Sequence, residues 1–165
     1  ASGEAETSAA SVSFMGPLVC SFCQNIDDNS FEVIAAGDHV IVVADSHPIN
    51  RGHMLVLPTR HAADFASMTQ AEVIEMALVA QQVDRAIRSV FSSAIGGTNV
   101  LMSNGREADQ GVPHAHLHVI PRQEGDGYEF REDFSRYPLR PLTVTERGAL
   151  RTEIEACDPS PPRSN

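Results

Sequence analysis

The chain has 165 residues, of which 42% are apolar, so its length and composition fit a single domain with one core. Twelve basic and twenty-two acidic side chains give a net charge of −10. This balance argues against binding to nucleic-acid polymers or anionic membranes, because both depend on basic side chains that neutralise phosphates. No apolar run approaches the roughly 18 residues that cross a bilayer. Three cysteines, an odd number, argue against a disulfide framework and favour a reducing, cytoplasmic location.

The two ends of the chain show no periodic pattern. Residues 1–16 are rich in Ala, Ser, Glu and Gly and are predicted to be a disordered leader. Residues 158–165 contain three prolines and are predicted to be a disordered tail. Between them, residues 17–157 are predicted to form the domain, with a C-terminal extension from about residue 123.

Two short runs rich in β-branched residues, 39–45 and 53–58, predict strands. The residues between them include Pro48, Asn50 and Gly52, which are typical of a connecting loop. Thr69-x-x-Glu72 then matches a helix capping box, and apolar residues recur at helical spacing for about 25 residues, up to Gly96-Gly97.

Further strands are predicted at 98–102 and 114–121, and a short helix at 145–156. Strands that follow one another through short loops, with a long helix between pairs, are typical of an α+β fold. We therefore expect a mainly antiparallel sheet with one long helix and a short C-terminal helix.

Three histidines alternate along the predicted last strand, at positions 114, 116 and 118. Alternation puts them on one face, roughly 6.7 Å apart. One imidazole can attack phosphorus while a second, protonated one stabilises charge on the phosphate oxygens, so the row favours phosphoryl or nucleotidyl transfer without a catalytic metal. The alternatives are a metal hydrolase, in which neighbouring pairs of the row bind an ion, and a solvated face without function.

Cys20-x-x-Cys23 has the spacing of half a zinc site. A redox motif is the alternative, although that motif usually lies in a thioredoxin-like βαβ unit. Two inert thiols are a third possibility, and Cys157 is expected to be a free thiol.

The run from His114 to Ile120 resembles the signature of the histidine-triad (HIT) superfamily of nucleotide hydrolases and transferases. The resemblance covers about residues 18–122. It also includes the segments Cys20–Cys23, Asp45, Gly52–Pro58, Thr59–His61, Asn104-Gly105, Gln110 and Pro121-Arg122.

This resemblance implies that His116 is the nucleophile and that His118 binds phosphate. Asn104 and Gln110 would contact the phosphate or the bridging atom. Asp45 would accept hydrogen bonds from the ribose hydroxyls, and His53 would lie near the triad. From the residues alone, Asp45 and Asn104 are equally explained as turn residues, and His53 as a strand residue bonded to backbone.

The resemblance also implies a structural zinc bound by Cys20, Cys23, His61 and His114. Apolar side chains at Phe22, Ile26, Val43 and Leu55 would line a purine pocket, although such residues are more often plain core. Two positions depart from the family pattern: Asp109 stands where Gly is usual and Gly111 where Ser or Thr is usual. The missing hydroxyl at position 111 removes a phosphate contact.

The expected protein is a homodimeric nucleotide hydrolase that releases a nucleoside 5′-monophosphate, with AMP the expected product, through a nucleotidyl-histidine intermediate. Its substrates would be nucleoside phosphoramidates or dinucleoside polyphosphates. One alternative is a nucleotidyltransferase or phosphorylase acting on dinucleoside polyphosphates or adenylylsulfate. Another is a nucleotide-binding regulatory protein with incidental hydrolysis.

Overall fold

The computed structural model describes residues 20–157, so the predicted leader, all of it before residue 20, and the predicted tail lie outside the described residues. Contacts divide the chain into two compact units, with the boundary between Tyr128 and Glu129. A C-terminal extension that begins near residue 123 stays a prediction. No helix within residues 20–157 is long and apolar enough to cross a membrane.

The first unit is a five-stranded sheet with two helices. All neighbouring strands are antiparallel and their order is β1-β2-β3-β5-β4. This confirms the predicted α+β fold. The elements are α1 (Ser21–Asp27), β1 (Val33–Ala36), β2 (Val40–Ala44), β3 (Met54–Pro58), α2 (Gln70–Val90), β4 (Gly97–Leu101) and β5 (Leu117–Arg122).

Alternation along the strands gives the sheet two different faces. On one face, Val42, Val56 and Val119 pack against Met76 and Ile87 of the long helix. All five side chains are almost fully buried, and each such burial stabilises the fold by about 1.5–3 kcal/mol. The opposite face is free of the long helix and carries the candidate site.

The long helix begins where the capping box predicts and ends earlier than predicted. The hydroxyl of Thr69 accepts from the amide of Glu72, whose carboxylate accepts from the amide of Thr69 at 2.7 Å. The helix ends at Val90, because the chain turns at once and the amide of Ala94 donates to the carbonyl of Phe91. The prediction that Gly96-Gly97 closes the helix is therefore wrong.

The histidine strand also differs from its prediction, since it begins at Leu117. The amide of Ala115 donates to the carbonyl of Ala62, 2.6 Å away in a loop, and thus not to a neighbouring strand. His114 and His116 therefore lie in irregular backbone before the strand, and only His118 belongs to it.

The second unit contains a 3₁₀ turn at Phe134–Arg136 and α3 at Val144–Ala156. Thr143 and Glu146 form the capping box of this helix, close to the predicted start.

Candidate functional site

Three imidazoles meet on the face of the sheet that is free of α2. The rings of His116 and His118 lie 4.8 Å apart, and those of His53 and His118 lie 5.1 Å apart. His53 immediately precedes β3, whose Leu55 pairs with His118 across the sheet. The structure therefore brings His53 beside the two histidines, as the resemblance implied.

One ring nitrogen of His116 is hydrogen-bonded to the backbone, and the other carries a lone pair. Its Nδ1 donates to the backbone carbonyl of His114 at 2.7 Å, which leaves the lone pair on Nε2. The side chain is 6% exposed, and the Phe22 ring contacts the imidazole edge-on at 5.2 Å. This is the arrangement that a nucleophilic imidazole requires.

His118 is joined to His53 and is neutral in the ligand-free protein. Its Nδ1 lies 2.9 Å from Nε2 of His53. Burial lowers the pKa of His118 to about 4, with further contributions from the charges of His116 and His53. The sequence predicts a protonated phosphate-binding imidazole. Burial of His118 favours the neutral form instead, which can donate a single N–H to a phosphate oxygen.

Asp45 takes part in a turn and also approaches the imidazole row. Its Oδ1 accepts from the amide of His47 at 2.8 Å, as in an Asx turn. Its Oδ2 lies 3.4 Å from Nδ1 of His53, which also accepts from the amide of Ile49 at 3.2 Å. Asp45 is therefore a turn residue that also lies beside His53, and its contact with the ribose stays a prediction.

Asp45, His53 and His118 each have a potential ligand atom within 4.8 Å of the other two. Different nitrogens of His53 face the two partners, since Nδ1 approaches Asp45 and Nε2 approaches His118. A single ion requires one ligand atom from each residue directed at the same centre. Because Nε2 of His53 is hydrogen-bonded to His118 while Nδ1 accepts from Ile49 and lies near Asp45, the three side chains form a contact row in which an ion would have to displace the bond between the two imidazoles.

A second cluster converges on one point. Sγ of Cys20 and Sγ of Cys23 lie 3.5 and 3.6 Å from Nδ1 of His114, and Nδ1 of His61 lies 3.3 Å from Sγ of Cys23. Nε2 of His114 donates to the carbonyl of Pro58, which leaves Nδ1 free to bind a metal. The donor set Cys₂His₂ fits zinc in both number and type of ligand.

The start of α1 explains the spacing of the two cysteines. Cys20 precedes the helix and Cys23 lies in its first turn, so both thiols point to one side. Burial raises the pKa of Cys23 to about 11, with contributions from Cys20. Metal binding therefore has to displace a proton from this thiol.

The amide side chains of Asn104 and Gln110 brace loops. Oδ1 of Asn104 accepts from the amide of Phe65 at 2.8 Å. Gln110 accepts from the amide of Gly105 and donates to the carbonyl of Ala63, both at 2.7 Å. The resemblance implies that both residues contact the phosphate, which stays a prediction, whereas the structure shows them bound to loop backbone.

The structure accounts for one of the two departures from the family pattern, Asp109, and gives no reason for the other, Gly111. Asp109 has φ +60°, in the left-handed region where Gly is most favourable and where Asp is among the tolerated residues. A Cβ at Gly111 would meet no atom within 4 Å, so this position has room for a side chain.

An apolar wall adjoins the histidines. Val43 pairs with Leu55, and Leu55 pairs with His118, so the three side chains share one face. A surface cavity of about 250 Å³ is lined in part by Ile26 and Phe31 next to this wall. The cluster contains the four predicted residues and three that the sequence analysis missed, in all Phe22, Ile26, Phe31, Ile41, Val43, Leu55 and Leu57.

Comparison with known proteins gives one consistent result. The profile of the HIT domain matches residues 27–125. An uncharacterised HIT-like protein of Methanocaldococcus jannaschii is 34% identical over 110 residues, which are 66% of this chain and 83% of that protein.

Two solved structures are similar along most of their length. A zinc-bound histidine triad family protein of Mycobacterium smegmatis is 31% identical with a TM-score of 0.61, and the match covers 87% of this chain and 100% of that one. A HIT family protein of Bacillus anthracis is 27% identical with a TM-score of 0.67, and the match covers 84% and 96%.

Proposed function

The chain belongs to the HIT family, and from that membership we propose that it is a nucleotide hydrolase that releases a nucleoside 5′-monophosphate, with AMP as the expected product. The observation that carries this proposal is the free lone pair on Nε2 of His116, beside His118 and the apolar wall. In this proposal His116 is the nucleophile and His118 the phosphate-binding donor, and the partly buried Phe22, Ile26 and Phe31 at the edge of the apolar wall would contact the base.

The reaction would proceed in two displacements at the α-phosphorus. Nε2 of His116 attacks in line, a P–N bond forms, and the bond to the leaving group breaks with its electron pair going to that group. Water then attacks the same phosphorus, the P–N bond breaks, and the nucleotide is released with His116 regenerated. The N–H on Nε2 of His118 would stabilise the phosphoryl oxygens throughout.

The remaining contacts follow from the positions of the polar side chains. Asp45 would accept hydrogen bonds from the ribose hydroxyls through the lone pairs that its turn leaves free. Asn104 and Gln110 would hold the loop that faces the phosphate and reach it with their remaining N–H groups. The apolar wall would take the purine.

We also propose a structural zinc at Cys20, Cys23, His61 and His114. Support comes from the convergence of four donor atoms and from the zinc-bound relative of M. smegmatis. Four protein ligands leave no open position, so the ion would join α1 to the histidine segment and take no part in the reaction.

We further propose that the protein is a homodimer. The edge strand β4 supports this, because its Val100 is 51% exposed beside unpaired backbone groups. Light scattering coupled to size-exclusion chromatography tests it, and a monomer at micromolar concentration would contradict it.

The experiment that tests the function combines a substrate panel with intermediate trapping. Adenosine and guanosine phosphoramidates, acyl-AMP, adenylylsulfate and diadenosine polyphosphates are assayed for nucleotide release. Early turnover is quenched without acid, and the peptide with residues 114–122 should carry one nucleoside monophosphate. The adduct should be absent in His116→Ala, which should lose several orders of magnitude in kcat.

His39→Ala provides the control, because His39 is exposed in the turn before β2. It should retain both the adduct and the turnover. If the wild type binds AMP but turns over no member of the panel, the protein is a nucleotide-binding regulator. If His116→Ala retains turnover, the nucleophile has been assigned to the wrong residue.

A further inference from the structure

Arg60 connects a short loop to the start of the long helix. Its Nε and Nη2 donate to the two carboxylate oxygens of Glu72 at 2.9 and 2.8 Å. Its Nη1 donates to the carbonyl of His61 at 2.8 Å, and Nη2 also donates to the carbonyl of Ser67 at 3.1 Å. One guanidinium therefore holds the first and last residues of the segment 61–67.

The anchor for this guanidinium is rigid. Glu72 is only 4% exposed, and its carboxylate also caps α2 by accepting from the amide of Thr69. A bidentate contact between a guanidinium and a buried carboxylate is geometrically specific, unlike an exposed pair of point charges.

The segment 61–67 contacts both the backbone beside His114 and the side chains of Asn104 and Gln110. The carbonyl of Ala62 accepts from the amide of Ala115, next to the candidate ligand His114. The carbonyl of Ala63 accepts from Gln110, and the amide of Phe65 donates to Asn104. A shift of this one segment would change both the metal cluster and the loop that faces the phosphate.

Among the four candidate ligands, His61 is the most exposed, and the side chains that its imidazole contacts, Cys23 and His114, are themselves candidate ligands. Cys20 and His114 are buried and Cys23 is half-buried, whereas His61 is exposed. The position of its imidazole therefore depends on its backbone, and the carbonyl of that same residue accepts from Arg60.

We propose that Arg60, anchored by Glu72, is a positioning residue that retains the metal by fixing the backbone of His61. This inference rests on the proposed zinc site. When the guanidinium is removed, the segment 61–67 opens more often, and His61 is the first ligand to leave the ion. The consequence is faster zinc release, without any change in the ligands themselves.

The test measures zinc release from the full-length, zinc-loaded protein into an excess of a chromogenic chelator, well below the melting temperature. Arg60→Gln should release zinc about tenfold faster than the wild type, the factor expected when a charge-assisted contact of moderate strength is lost. Arg60→Lys should also be faster, because a lysine cannot bridge the carboxylate and two carbonyls. It keeps the charge and provides a second test if Arg60→Gln folds poorly.

Arg88→Gln is the matched control. Arg88 also forms an ion pair on α2, with Asp84 at 2.9 Å, and donates to Thr98, but it does not contact the segment 61–67. It should lose some thermal stability and release zinc at the wild-type rate.

The outcomes separate the two proposals. If the wild type retains zinc and both Arg60 variants release it at the wild-type rate, the positioning role is overturned while the zinc site stands. If Arg88→Gln accelerates release as much as the Arg60 variants do, release only reports general stability, and the positioning role is overturned in that case too. A wild type that takes up no zinc overturns the zinc site and this inference with it.

Discussion

Replacement of His118 by Asn should reduce the fall in the free energy of unfolding that the protein undergoes on acidification. Burial, followed by the charges of His116 and His53, lowers the pKa of His118 from 6.5 to about 4. Between these values the unfolded chain binds a proton at this side chain that the folded chain does not, so acidification favours unfolding. The gap corresponds to about 3 kcal/mol, at about 1.4 kcal/mol for each pH unit. The stabilisation is complete above about pH 6.5 and is lost as the pH falls towards 4.

Urea unfolding of the wild type and of His118→Asn at about pH 7.5 and about pH 4.5 measures this difference. The wild type should lose up to about 3 kcal/mol more than the variant between the two conditions. Acid also releases metal from thiolate ligands, but this affects both proteins, so the comparison isolates His118. His39→Asn, at an exposed position, should follow the wild type. Equal losses in the wild type and in His118→Asn would refute the reasoning.

Three further predictions concern the metal, the ribose and the backbone. Protein purified without a histidine tag should contain about one zinc per chain in elemental analysis. Cys23→Ser should lose the ion and melt at a lower temperature while retaining some turnover. A wild type that is fully stable without metal would contradict this prediction. A 2′-deoxynucleotide should bind more weakly than the ribonucleotide by about 1–3 kcal/mol in calorimetry, and Asp45→Ala should reduce this difference in binding free energy. Equal affinities of the wild type for the two nucleotides would mean that Asp45 only forms the turn. Gly52→Ala should destabilise the fold by about 1–3 kcal/mol, because Gly52 has φ +90° and a Cβ would lie 2.7 Å from the Phe91 ring. Gly148→Ala, in open space on α3, should be neutral or stabilising in the same thermal melts, and similar effects of the two substitutions would argue against a steric origin.

The elements that the sequence predicts well are those whose own residues carry the signal. The capping box at Thr69 and Glu72 sets the start of α2, and runs of β-branched residues mark β2 and β3. The first strand has a weaker signal, since only Val33 and Ile34 of its four residues are β-branched and the run shows no alternation of polar and apolar residues. Its position depends on pairing with β2, which is a property of the folded chain.

The composition of the site could be predicted, but its hydrogen bonds could not. Spacing indicates half a zinc site at Cys20 and Cys23 and a row of three histidines, whereas His61 and His114 as the remaining ligands are implied by the resemblance to the HIT family. The loop-bracing contacts of Asn104 and Gln110 depend on a segment about forty residues away in the chain, which no local pattern reveals. Glu72 was recognised only as a helix cap, although its carboxylate also holds Arg60.

His114, His116 and His118 lie in one short segment, but they differ in which ring nitrogen is hydrogen-bonded and therefore in which nitrogen is left to react or bind. The carbonyl of Pro58 accepts from Nε2 of His114 and so turns Nδ1 towards the cysteines. The carbonyl of His114 accepts from Nδ1 of His116 and leaves the lone pair on Nε2, the atom that we propose as the nucleophile. The ring of His53 occupies Nδ1 of His118, so that only Nε2 of that residue can meet a phosphate oxygen. Because the backbone before β5 is irregular, the carbonyl of His114 accepts from the ring of His116 and takes no part in the sheet.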